Sequence, residues 1–231
     1  MTTTNLEVLA YEESAIGNIC LRRRELLAEP GTVVTEITLD HMMLMSSCNS
    51  VSERELAASA LRLHDARDLA VLVGGLGLGY TAHEALRSDR VARVEVVELL
   101  PQVVDWLDRD LLPLAGELKP DARFAVGEGD VYARLAGAPQ QRFDLILIDV
   151  DHSPDETLGS DNDAFYTEAG LDRAKRHLAP GGVLGVWSYA ESAPFVEALR
   201  RAFAEVCIEQ PTFRNCITGE QETNWLFFAR D

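Results

Sequence analysis

Several short segments carry residue types able to bind or transform a small molecule, and each follows an apolar run. The first is Gly74-Gly75-Leu76-Gly77-Leu78-Gly79. Glycine lets the backbone turn tightly and lets a ligand approach with no Cβ in the way. The helix expected after it offers unpaired N–H groups. The spacing is informative as well. A dinucleotide fingerprint needs Gly-x-Gly-x-x-Gly, and counted from Gly75 its third glycine would fall on Tyr80. Gly75, Gly77 and Gly79 alternate instead, which suits a nucleoside without a pyrophosphate and disfavours NAD.

Glu98 closes the next apolar run, about twenty positions on, where an acidic side chain can accept both ribose hydroxyls. Gly127-Glu128-Gly129-Asp130 follows the third run. Asp130 could cap a short helix or accept an adenine amino group. The fourth run ends in Asp149-Val150-Asp151-His152-Ser153-Pro154. Two carboxylates at a strand end are poor core material, and Asp149 or Asp151 could orient or deprotonate an attacking amine. His152 reads as part of the turn before Pro154. Trp187-Ser188-Tyr189 follows the fifth run, where both rings could wall an acceptor.

The elements that position these residues follow from the rhythm of the chain. Apolar, strand-like runs at 69–73, 91–97, 123–126, 143–148 and 183–187 alternate with helix-like stretches at 80–86, 101–107, 130–135, 164–178 and 193–203. Two further strand-like runs, at 206–209 and 225–229, close the series. This alternation predicts a mostly parallel α/β sheet of about seven strands, covered on both faces. Ligands bind such sheets at the carboxyl ends of the strands, where all the segments above fall. Residues 1–50 differ: 6–11, 17–24, 32–39 and 41–46 alternate partially and read as a small antiparallel hairpin unit. Residues 51–231 then form the nucleoside-binding domain. Ser52 and Glu55 read as a capping box opening a helix to about residue 63. Arg22-Arg23-Arg24 reads as a solvated edge that discourages strand pairing.

The bulk properties narrow the function. A net charge of −17 repels phosphate backbones, so no nucleic-acid partner is expected. No run of eighteen apolar residues exists, so no membrane span is expected, and the polar start of the chain lacks a signal-peptide pattern. Cys20, Cys48, Cys207 and Cys216 are scattered and form no zinc-like pair, which predicts reduced thiols and a cytoplasmic protein. Exposed hairpin edges could pair in a homo-oligomer.

The strand-end segments, with Leu178-Ala179-Pro180-Gly181-Gly182-Val183-Leu184 and the N-terminal hairpins, resemble the spermidine synthase (polyamine aminopropyltransferase) family and its Rossmann-like class I methyltransferase fold. The resemblance covers nearly the whole chain. It implies S-adenosylmethionine or its decarboxylated form as donor. Gly75, Gly77, Gly79, Glu98, Asp130 and Asp149 would bind that donor, with Asp149 and Asp151 at the reacting centre. A small acceptor, such as a cationic amine, would lie against Trp187 and Tyr189. Sulfonium transfer needs no metal, and none is expected. The family pattern breaks at four places. An acidic loop residue aligns with Leu78, the second Asp after the fourth strand is shifted, a tyrosine becomes Phe213, and a hairpin glutamine becomes apolar near Met43 or Leu44. Each loss removes a partner for a cation. The loop change also removes what would repel the carboxylate of S-adenosylmethionine. On these grounds the sequence leans to methyl transfer, with aminopropyl transfer and a non-catalytic nucleoside-binding protein as alternatives.

Overall fold

The computed structural model describes residues 6–150, 152–156 and 162–231. The chain opens with a four-stranded antiparallel meander: β1 (Leu6–Ser14), β2 (Gly17–Glu25), β3 (Val33–Leu39) and β4 (Met42–Ser46). The turn between β3 and β4 uses only Asp40 and His41, both at positive φ, the backbone hand that matches strand twist in tight hairpins. Alternation then sorts the two faces. Ile19, Leu21 and Ile37 face inward and are buried. On the opposite face Glu36, also fully buried, accepts from Arg22 Nε at 2.9 Å and from Arg24 Nε at 2.7 Å. The arginine run is therefore no solvated edge. It lies on an interior strand, where two guanidinium groups neutralise a carboxylate that burial would otherwise make costly.

A helix, α1 (Val51–Arg62), leads into β5 (Leu69–Gly74), an interior strand of a seven-stranded sheet. Then follow α2 (Tyr80–Leu86), β6 (Val91–Glu98), α3 (Pro101–Asp108), α4 (Ala115–Leu118), β7 (Phe124–Glu128), α5 (Val131–Ala136) and β8 (Phe143–Ile148). A 3-10 turn (Asn162–Ala164) precedes α6 (Glu168–Lys175), β9 (Leu178–Ser188), α7 (Ala193–Ala202) and β10 (Glu205–Glu209). A hairpin of β11 (Thr212–Arg214) and β12 (Gln221–Thr223) comes before β13 (Trp225–Arg230). The sheet order is β10-β13-β9-β8-β5-β6-β7. β5 pairs in parallel with both β6 and β8, while β13 runs antiparallel between β9 and β10. The strand order thus reverses beside β5, and the crevice it leaves lies between the ends of β5 and β8.

The expected α/β sheet is present, and local details differ. α1 starts at N-cap Ser50, which makes no side-chain cap bond; Ser52, expected to open the capping box, lies inside the helix with its hydroxyl on Glu53 and Trp187. The helix expected over 164–178 is shorter, since Thr167 caps it by accepting from Gly170 N at 3.1 Å. β9 begins earlier than expected, and Pro180, Gly181 and Gly182 sit where its register against β8 slips, a bulge that strand pairing absorbs.

One hydrophobic core runs across residue 50. Ile19, Leu21 and Ile37 pack with Leu56, Val73, Val96 and Leu147. Fully burying such side chains contributes about 1.5–3 kcal/mol each, so the meander is anchored by apolar contact. Polar contacts add orientation. Trp106 Nε1 of α3 donates to Glu12 Oε1 at 2.8 Å, and Gln102 Nε2 donates to the Glu13 carbonyl at 2.8 Å.

The cysteine expectation fails for one pair. Cys48 and Cys216, 168 residues apart in sequence, form a disulfide with their Cα atoms 6.1 Å apart. The β11–β12 hairpin folds back over the segment that follows β4, which no sequence spacing reveals. Such bonds persist in oxidising surroundings and are rare in the cytosol. Cys20 and Cys207 are free. Among the described residues no helix is long and apolar enough to cross a membrane.

Candidate active site

A cavity of about 390 Å³ opens at the carboxyl edge of the sheet, beneath the meander. Its floor is Gly75, Leu76 and Gly77 from the loop after β5. Gly75 is at φ +89°, and a Cβ there would lie 2.3 Å from the Asp149 carbonyl oxygen, so the two strand ends can approach only over a glycine. A Cβ on Gly77 would lie 2.5 Å from Met45 Sδ of the meander. Gly75 is thus demanded by the chain's own packing, beyond any ligand, while Gly77 is favoured by its φ of +50°. Gly79 is the N-cap of α2, packs on Leu118 and does not line the cavity. Leu78 is fully buried in the core, and the loop residues that reach the cavity are its neighbours Leu76 and Gly77.

Glu98, at the end of β6, braces this loop. Its Oε2 accepts from Leu76 N at 2.7 Å and its Oε1 from Leu100 N at 2.9 Å. Burial pushes its carboxyl above the usual range, against the opposing pull of these amides. Asp130 has a different place. Its Oδ1 accepts from Tyr132 N at 2.8 Å and Ala133 N at 3.2 Å, capping α5, and the side chain is exposed outside the cavity walls. The strand-end position was legible, and of its two sequence readings the helix cap is the one made.

Asp149, just past β8, lines the cavity and accepts from Thr81 Oγ1 at 2.6 Å. Burial raises its carboxyl to about 6, with the Thr81 hydrogen bond opposing. Asp151, expected beside it, lies outside the described residues. Trp187 lines the wall and donates from Nε1 to Ser52 Oγ at 2.9 Å. Tyr189 also lines it, with its hydroxyl on Glu156 and its ring edge-on to His152. Phe213 from β11, and Met43 and Leu44 from β4, complete the apolar side. The sequence reading thus brings Gly75, Gly77, Glu98, Asp149, Trp187 and Tyr189 into one cavity, and leaves Gly79 and Asp130 outside it.

Several cavity residues were missed, and one of them is a buried acid. Glu53, in the first turn of α1, is 7% exposed and lines the cavity with Asp149. Its Oε2 accepts from Ser52 Oγ at 3.0 Å. Burial, and then the nearby Asp149 carboxylate, push its carboxyl up to about 8. A topological signal existed. A helix that feeds a parallel strand runs back along the sheet, so its first turn reaches the carboxyl edge where ligands bind.

Sheet order and N-terminal meander match the fold of spermidine synthases. No family model matches the chain. It is 32% identical over 123 residues to the polyamine aminopropyltransferase of Prochlorococcus marinus, covering 53% of this chain and 41% of that protein. It is 33% identical over 135 residues to polyamine aminopropyltransferase 2 of Streptomyces coelicolor, covering 58% and 23%. It is 30% identical over 122 residues to putrescine N-methyltransferase 2 of Nicotiana tabacum, covering 53% and 32%. The matches span less than half the length of these curated relatives. Among solved structures, a spermidine synthase in complex with the transition state analogue AdoDATO superposes with a TM-score of 0.76 at 22% identity, over 96% of this chain and 73% of that one. Spermidine synthase from Thermotoga maritima gives 0.72 at 21%, over 96% and 71%. The chain is spermidine synthase-like in sequence and in fold.

Proposed function

We propose that this chain transfers an aminopropyl group from decarboxylated S-adenosylmethionine to a small cationic amine. The observation that carries this reading is a buried carboxylate, Asp149, at the reversal point of the sheet, in a cavity floored by Gly75–Gly77 and walled by Trp187 and Tyr189. A volume of about 390 Å³ falls in the range of small-molecule sites. The amine nitrogen attacks the carbon bonded to the sulfonium. The C–S bond breaks with its electron pair on sulfur, 5′-methylthioadenosine leaves as a neutral thioether, and the nitrogen gives up a proton. Asp149 would hold the amine and take that proton, with Asp151 as the second group of the same loop. Glu98 would accept ribose hydroxyls, and Asp130, which caps α5 beyond the cavity walls, would meet the adenine only where the nucleoside extends out of the cavity. Catalysis would rest mainly on holding the two reactants in line.

Two relatives named polyamine aminopropyltransferase and two neighbours named spermidine synthase support aminopropyl transfer over the methyl transfer to which the sequence leaned. The cavity chemistry supports the same change, because Glu53 and Asp149 together disfavour the carboxylate of intact S-adenosylmethionine. Methyl transfer from S-adenosylmethionine is the second reading, favoured by the similarity to putrescine N-methyltransferase 2 and by the lack of a carboxylate on the loop itself.

The test is incubation with 1,4-diaminobutane and either donor, with mass detection of products. An aminopropyl gain with release of 5′-methylthioadenosine is expected. A methyl gain with S-adenosylhomocysteine would overturn it in favour of the second reading. No transfer from either donor would overturn both.

A further inference from the structure

Among the described residues, those lining the cavity include acids but neither lysine nor arginine. Glu98 is held by the loop amides, and Glu222 Oε1 accepts from Asn215 Nδ2 at 2.7 Å. Glu53 and Asp149 are different: among the described residues neither makes an ion pair, and only the more distant Arg54 charge opposes the upward push on Glu53. Arg54 is next in sequence, yet its guanidinium lies 4.8 Å from the Tyr80 ring centroid and its Nη1 is 3.3 Å from Glu84 Oε2. The two acids are tied together through α2. Thr81 Oγ1 is 2.6 Å from Asp149 Oδ2 and 3.2 Å from the Glu53 carbonyl oxygen. On the other side, Glu53 is held by Ser52, which Trp187 holds in turn.

We infer that Glu53 and Asp149 form a carboxyl pair that takes up a primary ammonium with release of a proton and rejects a carboxylate at the same place. This makes Glu53 a specificity-determining residue, and it rests on the donor-and-amine reading above. Two like charges in one buried cavity cannot both ionise cheaply. Burial holds both carboxyls above the usual carboxylate range, and the Asp149 charge adds to the push on Glu53. An entering ammonium makes the second ionisation favourable. The other titratable groups facing the pair are Tyr80 from α2, Glu98 beyond β6, His152 in the loop after β8, Tyr189 after β9 and Glu222 on β12. Tyr80 is raised further by burial and stays neutral here. The ammonium could be that of the donor's three-carbon arm or that of the acceptor, and binding distinguishes them.

Calorimetry in buffers of different ionisation enthalpy tests this with four ligands: 5′-methylthioadenosine, decarboxylated S-adenosylmethionine, S-adenosylmethionine and 1,4-diaminobutane. For whichever ligand places its ammonium on the pair, release of up to one proton is expected. Its affinity should rise up to about tenfold per pH unit between pH 6 and 8. Glu53→Gln should abolish proton release and weaken that ligand about tenfold or more, while 5′-methylthioadenosine binds as before. Proton exchange on the unaltered protein needs no variant, so a poorly folding Glu53→Gln does not rescue the idea. Affinity independent of pH with no proton released, or unchanged binding in Glu53→Gln, overturns it. Failure of 5′-methylthioadenosine to bind overturns the donor reading alone, and the diamine titration still decides the pair.

Discussion

Replacing Glu53 with glutamine keeps its volume and an acceptor for Ser52 Oγ but removes the proton that titrates. The folded carboxyl sits at about 8, against 4.5 for the free side chain. Between those values the folded state holds a proton that the unfolded chain has lost. Stability therefore falls as pH rises, by up to about 1.4 kcal/mol per pH unit. From pH 5 to 7 the ligand-free protein should lose about 3 kcal/mol relative to the Glu53→Gln variant, and it should level off above about pH 8. Against a total of roughly 5–15 kcal/mol, that is large enough to read from urea midpoints. Trp106, fully buried in α3, gives a fluorescence signal for unfolding. Both proteins should be compared without reductant, so that the Cys48–Cys216 bond stays constant. Parallel stability curves from pH 5 to 8 would mean that Glu53 ionises in the folded protein as easily as in water. The buried, proton-holding Glu53 would then be wrong.

Two further outcomes are expected. Reducing the Cys48–Cys216 bond, which closes a loop of 168 residues, should cost roughly 2–4 kcal/mol in urea unfolding, below the about 5 kcal/mol that loop closure alone gives. Glu36→Ala should cost about 3 kcal/mol, because it leaves Arg22 and Arg24 with no anion on a half-buried face, and a double-mutant cycle with Arg24→Ala should show positive coupling between them.

The fold was legible because apolar runs and glycine or proline breaks mark strand ends strongly, and 143–148 and 80–86 match the observed strand and helix at both ends. What escaped has physical reasons. The strands of the β11–β12 hairpin are three residues each and mostly polar, too short for a period to show. The pairing of Cys48 with Cys216 depends on how that hairpin folds back, and sequence spacing carries no trace of it. Arg22 and Arg24 looked solvated because their partner, Glu36, is a charged residue hidden on a neighbouring strand. In the site, residues placed by strand ends were found, since topology alone locates them. Leu78 was read as facing the ligand, but the loop's alternation turns it into the core and gives the cavity to Gly77. Glu53 lay in a helix that precedes the glycine loop and looked like an ordinary first-turn acid.

The contact between Met45 and Gly77 has a consequence for how such chains can vary. The flexible end of Met45 fills the space a side chain at position 77 would need, and Gly77 stands at φ +50°, so a change at 77 must both move Met45 and hold a left-handed backbone. A relative carrying an acid or any larger residue at position 77 must carry a smaller or displaced residue at position 45. The two positions should covary, although one lies on β4 and the other in the loop after β5, 32 residues apart in the chain. The meander is thus a co-author of the loop's chemistry, and the record of that partnership should be readable in any sufficiently deep set of related sequences.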